Sequence, residues 1–427
     1  MLVLQIFGLF FLLALARVPL VYALLATTVI IILLKSFNYP FETLFLTYVS
    51  GVEPFLLIAV PLFIFAGELL SHGGVGKRIV HLSRTVLGFL PGGMGIVAVA
   101  SCLMFGGISG SALADTAAIG SLVVPAMVER GYGRPFIAAL LATAGTLALL
   151  MPLSIPFLVF SFISGVSMRQ LGMAGIVPAI IAALILSLVC AWYGKKTGCD
   201  NGSARSTGRE MRLALKDAWA ALLMPVIIVG GIWSGLFTPT EAASVSVAYG
   251  LVVSLGLYRD ITWRDLPQML LRSLRTSAVV MLVIAATGVL AWLVTAEQVA
   301  VQLAEWINTV AGQPWQFLLL VNISLLLLGM FIEPLPAILL TAPLLLPVAQ
   351  ANHINLVHFG VVVTFNLALA LIHPPVGASL FVSAKLANVS IGEATKALLP
   401  LLLAMLVVLV LITYVEPLSL VLINLNR

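Results

Sequence analysis

Long apolar stretches alternate with short polar joints along this chain. Apolar segments lie at roughly 2–16, 18–34, 52–70, 94–128, 135–165 and 172–193, and again at roughly 222–237, 241–257, 276–294, 316–350, 358–384 and 396–415. Most are near the ~20 residues a helix needs to cross a bilayer. Between the two sets lies the only long polar stretch, Lys195–Asp217, KKTGCDNGSARSTGREMRLALKD. The segments Phe41–Ser50, His72–Phe89, Trp263–Arg275 and Glu297–Gly312 are amphipathic or charged, and too short or polar to span. They are expected to lie along the membrane surface as interfacial arms, with Trp263, Trp306 and Trp315 at headgroup depth.

One apolar segment has a polar heart. Cys102–Met127, CLMFGGISGSALADTAAIGSLVVPAM, is apolar at both ends and rich in Gly, Ser, Asp and Thr in its middle. Non-helical backbone at membrane depth is tolerated only where it is buried in protein or lines a wet cavity. The stretch predicts a re-entrant hairpin with its tip at Gly106–Ala112 and a returning half-helix from near Leu113. A continuous helix packed through small residues is the competing reading.

The second half of the chain favours the hairpin. The halves match at a constant offset of 222: Pro125 falls on Pro347, Gly107 on Gly329, and Met151-Pro152 on His373-Pro374. Arg17-Val18-Pro19 falls on the break at Pro239-Thr240-Glu241, and the tip Ile108–Leu113 on Met330–Leu335. Internal symmetry of this kind marks many secondary transporters. The expected division is a first repeat over 1–197, a linker over 198–221 and a second repeat over 222–427. The hairpins lie at about 94–128 and 316–350, and interrupted helices at about 135–165 and 358–384.

Composition fixes the class. Of 427 residues, 62% are hydrophobic and 9% charged, with mean hydropathy +1.18, against about 25% charged in soluble proteins. This describes an all-α integral membrane protein. The net charge of +5 sits between the spans, where it reports topology and not nucleic-acid binding. Three scattered cysteines, Cys102, Cys190 and Cys199, make neither a disulfide framework nor a metal site. The N-terminal MLVLQIFGLFFLLALAR has no basic n-region, so it reads as a retained span and not a cleaved signal.

Charge also sets orientation. With the N-terminus outside and each hairpin returning to its own side, Arg17, Lys77, Arg78, Arg84, Arg130, Arg134, the linker, Arg259, Arg264, Arg272, Arg275, Lys385 and Lys396 all fall inside. Only Lys35 and Arg169 fall outside, and Thr276–Ala384 contains no Lys or Arg. That is a strong positive-inside signal. It requires five full crossings and one hairpin per half. Five is odd, so the second repeat is inverted, and both termini end on the outer face.

Two breaks, Thr146–Pro156 (TLALLMPLSIP) and Ala370–Gly377 (ALIHPPVG), interrupt apolar spans at corresponding places. Proline removes an N–H donor and frees carbonyls, and paired Gly/Pro-interrupted segments point to a transporter's binding site. Each hairpin tip is expected to face the broken helix of its own half and to hold a dehydrated cation between carbonyls and hydroxyls. The expected substrate-facing residues are Ser109, Ser111, Asp115, Ser154, His373 and Ser379.

The segments PLFIFAGELLSHGGVGKRIV (61–80), LPGGMGIVAVASCLMFGGISGSALADTAAIGSLVVPAM (90–127), FIEPLPAILLTAPLLLPVA (331–349) and HFGVVVTFNLALALIHPPVGASLFV (358–382) resemble the large membrane subunit of TRAP transporters, the DctM-like family. The likeness spans nearly the whole chain, and Ser109–Thr116 is its most specific part. It implies a sodium-coupled secondary importer of elevator type in the bacterial inner membrane. It implies a small four-helix membrane subunit and a periplasmic binding protein that delivers an organic acid of dicarboxylate, sialic acid or sugar acid type. It implies two or more sodium sites, mapping here onto Ser109, Gly110 and Ser111 with Met151 and Ser154, and onto Glu333, Pro334 and Leu335 with His373, Pro374 and Gly377. The chain departs from the family at three places. Met151-Pro152-Leu153-Ser154 stands where Pro-Pro-Ser is common, His373 where Thr precedes Pro-Pro, and Ser379 where Asn often follows the Pro-Pro-Val-Gly run.

Several residues admit two readings. Ser109 and Ser111 ligate a cation or face substrate, or they cap the returning helix. Asp115, costly in a membrane unless paired or wet, adds charge at the cation site or caps the first-turn N–H groups. His373 is a proton-sensitive or substrate-contacting group, or a hydrogen-bonded structural one. Glu333 neutralises a cation or sits solvated near the outer face. Glu53 and Glu68 are expected to pair with neighbouring helices or the small subunit. The string Gly107-Ile108-Ser109-Gly110 resembles the GxSG of intramembrane serine proteases, with His373 as the likeliest deep base. The repeat and the matched breaks leave that reading without context. A stand-alone carrier with the same repeat is the other alternative.

Overall fold

The computed structural model describes residues 2–16, 18–35, 39–200, 205–299, 301–303, 313–374 and 377–425. Arg17, Trp306, Pro375, Val376 and most of the Glu297–Gly312 arm lie outside the described residues. Every regular element among the described residues is helical. The first repeat contains α1 (Leu2–Leu15), α2 (Leu20–Leu34), α3 (Phe41–Ser50), α4 (Ala59–His72), α5 (Val75–Leu87), α6 (Gly93–Ser109), α7 (Ala112–Glu129), α8 (Arg134–Gly145), α9 (Ile155–Ser164) and α10 (Met168–Thr197). The second contains α11 (Gly208–Trp233), α12 (Pro239–Leu251), α13 (Leu266–Ala296), α14 (Pro314–Gly329), α15 (Pro334–Ala351), α16 (Leu356–Ala370), α17 (Ala378–Ala387), α18 (Ile391–Tyr414) and α19 (Pro417–Asn424). Among the described residues, nine helical stretches are long and apolar enough to cross a membrane.

The repeat is visible element by element. Helices α7 and α15 begin 222 residues apart and end 222 residues apart, and α8 and α16 begin at the same offset. Besides one helical hairpin (α6–α7 and α14–α15), whose returning arms α7 and α15 are among those nine stretches, each repeat has five further apolar segments (α1, α2, α4, α8–α9 and α10, then α11, α12, α13, α16–α17 and α18). An odd number of crossings inverts the second copy.

Three local expectations change. The first tip is shorter than Gly106–Ala112: α6 runs on to Ser109 and only Gly110 and Ser111 turn the chain. Gly106 and Gly107 stay helical because the small residues let α6 lie against the first break. A Cβ at Gly106 would come within 2.7 Å of the Ala148 backbone. The expected linker 198–221 is helix from Gly208 onward, started by a capping box between Thr207 and Glu210. Its Ala214 and Ala218, one turn apart, pack against Leu82 of α5. The arm expected at Trp263–Arg275 is not separate, since α13 runs unbroken over Leu266–Ala296. In the first repeat Pro54 ends the matching arm before α4. The second repeat has Thr276 at the equivalent place and nothing there to stop the helix.

The two repeats are interleaved. Each hairpin packs on the leading half of its own broken helix, α6 and α7 on α8, α14 and α15 on α16. Each returning arm also packs on the trailing half-helix of the other repeat, α7 against α17 and α15 against α9. Most of the buried core is accordingly one cluster reaching from Ile6 to Ile423, with smaller clusters beside it.

Candidate functional site

The first tip is built from two hydroxyls and a carboxylate. Gly110 closes α6 at φ 60°, a conformation open to glycine and costly for other residues. Space demands glycine as well, because a Cβ there would sit 2.4 Å from the Leu153 carbonyl oxygen and 3.1 Å from Ser154 Cα. The tip is therefore pressed into the first break. Ser111, extended at φ −128°, caps α7 by accepting from the Ala114 N–H at 3.4 Å. Ser109 Oγ donates to Asp115 Oδ1 and accepts from the Ser111 N–H at 3.2 Å. Asp115 is completely buried, and its Oδ2 has no hydrogen-bond partner. That oxygen lies against Gly106, where a Cβ would approach it to 2.9 Å.

Facing the tip, the span from α8 tightens into a 3-10 turn over Thr146–Leu150 and then extends through Met151. Ser154 restarts the helix, its hydroxyl accepting from the Phe157 N–H at 3.3 Å. The Met151 side chain lies over Gly107, whose Cβ would come within 3.1 Å of its Cε. Thus Ser109, Gly110, Ser111, Asp115, Met151 and Ser154 are brought together. Ser111 and Ser154 each use a hydroxyl as a helix cap, which leaves one lone pair on each oxygen.

The second tip differs in build. Glu333 precedes α15 in extended backbone and makes no cap hydrogen bond. Pro334 occupies the first helical position, where a missing N–H costs nothing. Glu333 and Phe331 are exposed, while Ile332 and Pro334 are buried and Leu335 is half-buried. The hairpin meets its own break through Gly329, where a Cβ would lie 2.2 Å from Ala370 Cβ. In that break His373 Nδ1 donates to the Pro374 carbonyl at 2.7 Å. The Gly377 N–H donates to the His373 carbonyl at 3.1 Å, and the Ser379 N–H to the Leu371 carbonyl at 3.0 Å. Ser379 is fully buried, and its hydroxyl has no partner.

The two breaks meet. Ala112 of the first tip and Leu149 of the first break share a small apolar cluster with Ala368, Leu371 and Ala378 around the second. Asp115 lies one turn beyond Ala112, and Ser379 directly follows Ala378, so both unpartnered groups border this seam. The pairing a GxSG protease would need is not what the hydrogen bonds make. Ser109 Oγ is engaged by Asp115 and His373 by a carbonyl.

Other polar residues emerge only from the fold. Asn366 Nδ2 donates to Asn322 Oδ1 at 2.8 Å, and Asn322 Nδ2 to Thr413 Oγ1 at 2.9 Å, tying α14, α16 and α18 together inside the bundle. Asp200, past α10, is the base of the first hairpin's anchor. It accepts from the Met94 N–H at 2.7 Å and from Arg130 Nη1 at 2.6 Å. Intramembrane amides were a signal for the first group. Nothing local in the sequence signals the second.

Two inverted repeats, each with a hairpin set against a broken helix, define a membrane fold of the secondary-transporter type. In agreement, the fold matches that of the YdaH transporter of Alcanivorax borkumensis, a structure described as having an unusual topology, with a TM-score of 0.62 over 87% of this chain and 88% of that one at 15% identity. The family model for the DctM component of the tripartite ATP-independent periplasmic transporters matches residues 7–418. The chain belongs to that family. It is 37% identical to the C4-dicarboxylate TRAP transporter large permease protein DctM of Rhodobacter capsulatus, over 98% of both chains. It is also 37% identical to the isethionate TRAP transporter permease protein DctMQ of Oleidesulfovibrio alaskensis, over 86% of this chain and 58% of that one.

Proposed function

We propose that this chain is the translocating subunit of a sodium-coupled importer for a small organic anion. The observation that carries the reading is the seam between the breaks, where Asp115 Oδ2 and Ser379 Oγ are fully buried and unpartnered. A buried carboxylate without a cation is costly, and a dehydrated sodium ion beside Asp115 offsets that cost. The donor set suits sodium, a hard cation served by oxygen: the Ser109, Ser111 and Ser154 hydroxyls, the carboxylate and nearby backbone carbonyls. Glu333, Leu335, His373, Pro374 and Gly377 are assigned to a second sodium site. The bound cations and helix ends then supply the positive potential for an organic anion, since no arginine lies in either tip or break. Relatives named for a C4-dicarboxylate and for isethionate support a carboxylate or sulfonate as cargo.

Transport proceeds by displacement of the hairpin-bearing body against the remaining helices. The partners are a small membrane subunit and a periplasmic binding protein. The DctMQ relative extends well beyond the region this chain matches, which fits a fused partner. The arginine and lysine distribution supports an inner-membrane orientation with both termini periplasmic.

The test is uptake of radiolabelled C4-dicarboxylate into potassium-loaded proteoliposomes containing this chain, its small subunit and a cognate binding protein. Uptake is expected to require external sodium and both partners. Uptake indifferent to replacing sodium by potassium would sink the coupling. Uptake without the binding protein and small subunit would make the chain a stand-alone carrier.

A further inference from the structure

Arm α5 is the segment that leads from α4 into the first hairpin, and both its ends are clamped. At its far end the chain enters α6 through Gly92, at φ 69°, where a Cβ would lie 2.3 Å from the Cys190 carbonyl of α10. There the buried Asp200 carboxylate binds the Met94 N–H and Arg130. This clamp joins α6, α7 and α10, all of the first repeat.

The near end is clamped to the second repeat. Arg78 Nη1 donates to Asp260 Oδ2 at 2.6 Å and to the Gly74 carbonyl at 3.1 Å, and its Nε lies 3.4 Å from Asp217 Oδ1. The guanidinium stacks 3.5 Å above the Tyr258 ring, and the side chain is only 17% exposed. Tyr258 ends a π-turn over Val252–Leu257, its N–H donating to the Val253 carbonyl at 2.8 Å. The extra residue of such a turn rotates the chain beyond it, and these turns recur at functional sites. Tyr258 in turn donates to the Asp217 carbonyl at 3.0 Å and accepts from the Ala221 N–H at 3.2 Å. Space for the clamp depends on Gly74, at φ 70°, since a Cβ there would fall 2.0 Å from Asp260 Oδ2. Arg78 thus gathers α5, Asp217 of α11 and the segment just past the π-turn at one point, far more than a surface ion pair demands.

We propose that Arg78 is the pivot of arm α5, a positioning residue that fixes the arm's first turn to the second repeat while the first hairpin moves. The proposal rests on the transport reading above. Planarity, fixed charge and stacking explain why arginine and not lysine occupies the position.

The experiment is pulsed electron–electron distance measurement on the full chain with its small subunit in liposomes, in sodium chloride and in potassium chloride. One spin-label pair is Lys77→Cys with Arg212→Cys, across the clamp; the other is Leu122→Cys with Arg212→Cys, reporting the hairpin. The Lys77–Arg212 distribution is expected to be the same in both salts while the Leu122–Arg212 distribution shifts. Arg78→Gln is expected to broaden the Lys77–Arg212 distribution and slow uptake about tenfold without changing equilibrium sodium affinity. Arg78→Lys is expected to fall between the two, which covers the case where Arg78→Gln does not fold. Charge exchange, Arg78→Asp with Asp260→Arg, is expected to restore part of the rate. A Lys77–Arg212 distance that shifts as much as Leu122–Arg212, or a Leu122–Arg212 distance that stays fixed in a transporting chain, overturns the pivot. If the unlabelled chain with all partners transports nothing, the transport reading fails, and the distance pair still judges the pivot.

Discussion

The two hairpins occupy equivalent places in the repeat and solve the same problem with different chemistry. Ser111 and Glu333 both stand immediately before the returning arm, at the offset of 222. The first tip is sealed: Gly110 and Asp115 are buried, Ser109 is 4% exposed, and the break lies directly against it. The second tip is open, with Phe331 48% exposed and Glu333 exposed beside it. Proline, not a side-chain cap, starts its returning arm. The position equivalent to Asp115 is Ala337. A buried charge therefore has to be neutralised in the first site and not in the second. The repeat keeps scaffold geometry while the electrostatics diverge.

Substitutions at the two tips and the seam would break or sharpen this contrast. Gly110→Ala should have the largest effect. The left-handed conformation costs roughly 1–2 kcal/mol, and the contact at 2.4 Å with Leu153 adds overpacking of about 1–3 kcal/mol. The variant is expected to lose its thermal transition in detergent and all uptake. Next, Asp115→Asn should reduce sodium-driven uptake ~100-fold, the equivalent of about 3 kcal/mol for a broken buried charge pair. Glu333→Gln removes an exposed ligand of the second site, so it should raise the sodium half-saturation by about fivefold or less, as for an ion pair open to solvent. Equal losses in the two variants would show that the sites are electrostatically alike and refute the asymmetry.

Ser379→Ala should raise the half-saturating concentration of sodium or substrate several-fold, with thermal stability unchanged or higher. Its buried hydroxyl has no protein partner to lose, so a stability loss would indicate a structural role instead. The smallest effect is expected from Ser111→Ala. Its capping bond is long at 3.4 Å, so the cost should fall near the low end of the ~0.5–2 kcal/mol range for N-caps. A thermal melt alone should detect it, with uptake within about twofold of normal.

Much of the architecture was legible because the features that interrupt helices are local. Pro152, Pro156, Pro374 and the glycines around them mark the breaks wherever the chain folds, and the offset of 222 pairs them without structural knowledge. Three things escaped for physical reasons. Gly106 and Gly107 look like a turn in isolation and are helical where Ala148 packs against Gly106 and Met151 against Gly107. The linker's polar composition concealed an amphipathic helix whose alanine face is covered by α5. The crossed packing of α7 on α17 and of α15 on α9 has no local signature, since apolar half-helices of ten residues such as α9 and α17 carry little to tell one partner from another. For the site, hydroxyls and a carboxylate near a break were readable. That Ser111 and Ser154 serve as caps, and that Asp115 keeps one oxygen free, required the hydrogen-bond geometry.

The crossed packing also governs how the protein can be made. The first repeat leaves the ribosome complete, yet the face of its returning arm α7 that α17 will cover is still bare, and so is the face of α9 that awaits α15. Some 200 further residues (about ten seconds or more of synthesis at ordinary rates) separate the two events. During that interval the half-helix α9 and the broken backbone before it have no permanent neighbour on one side. Completion of the interleaved packing is therefore a joint act of both halves.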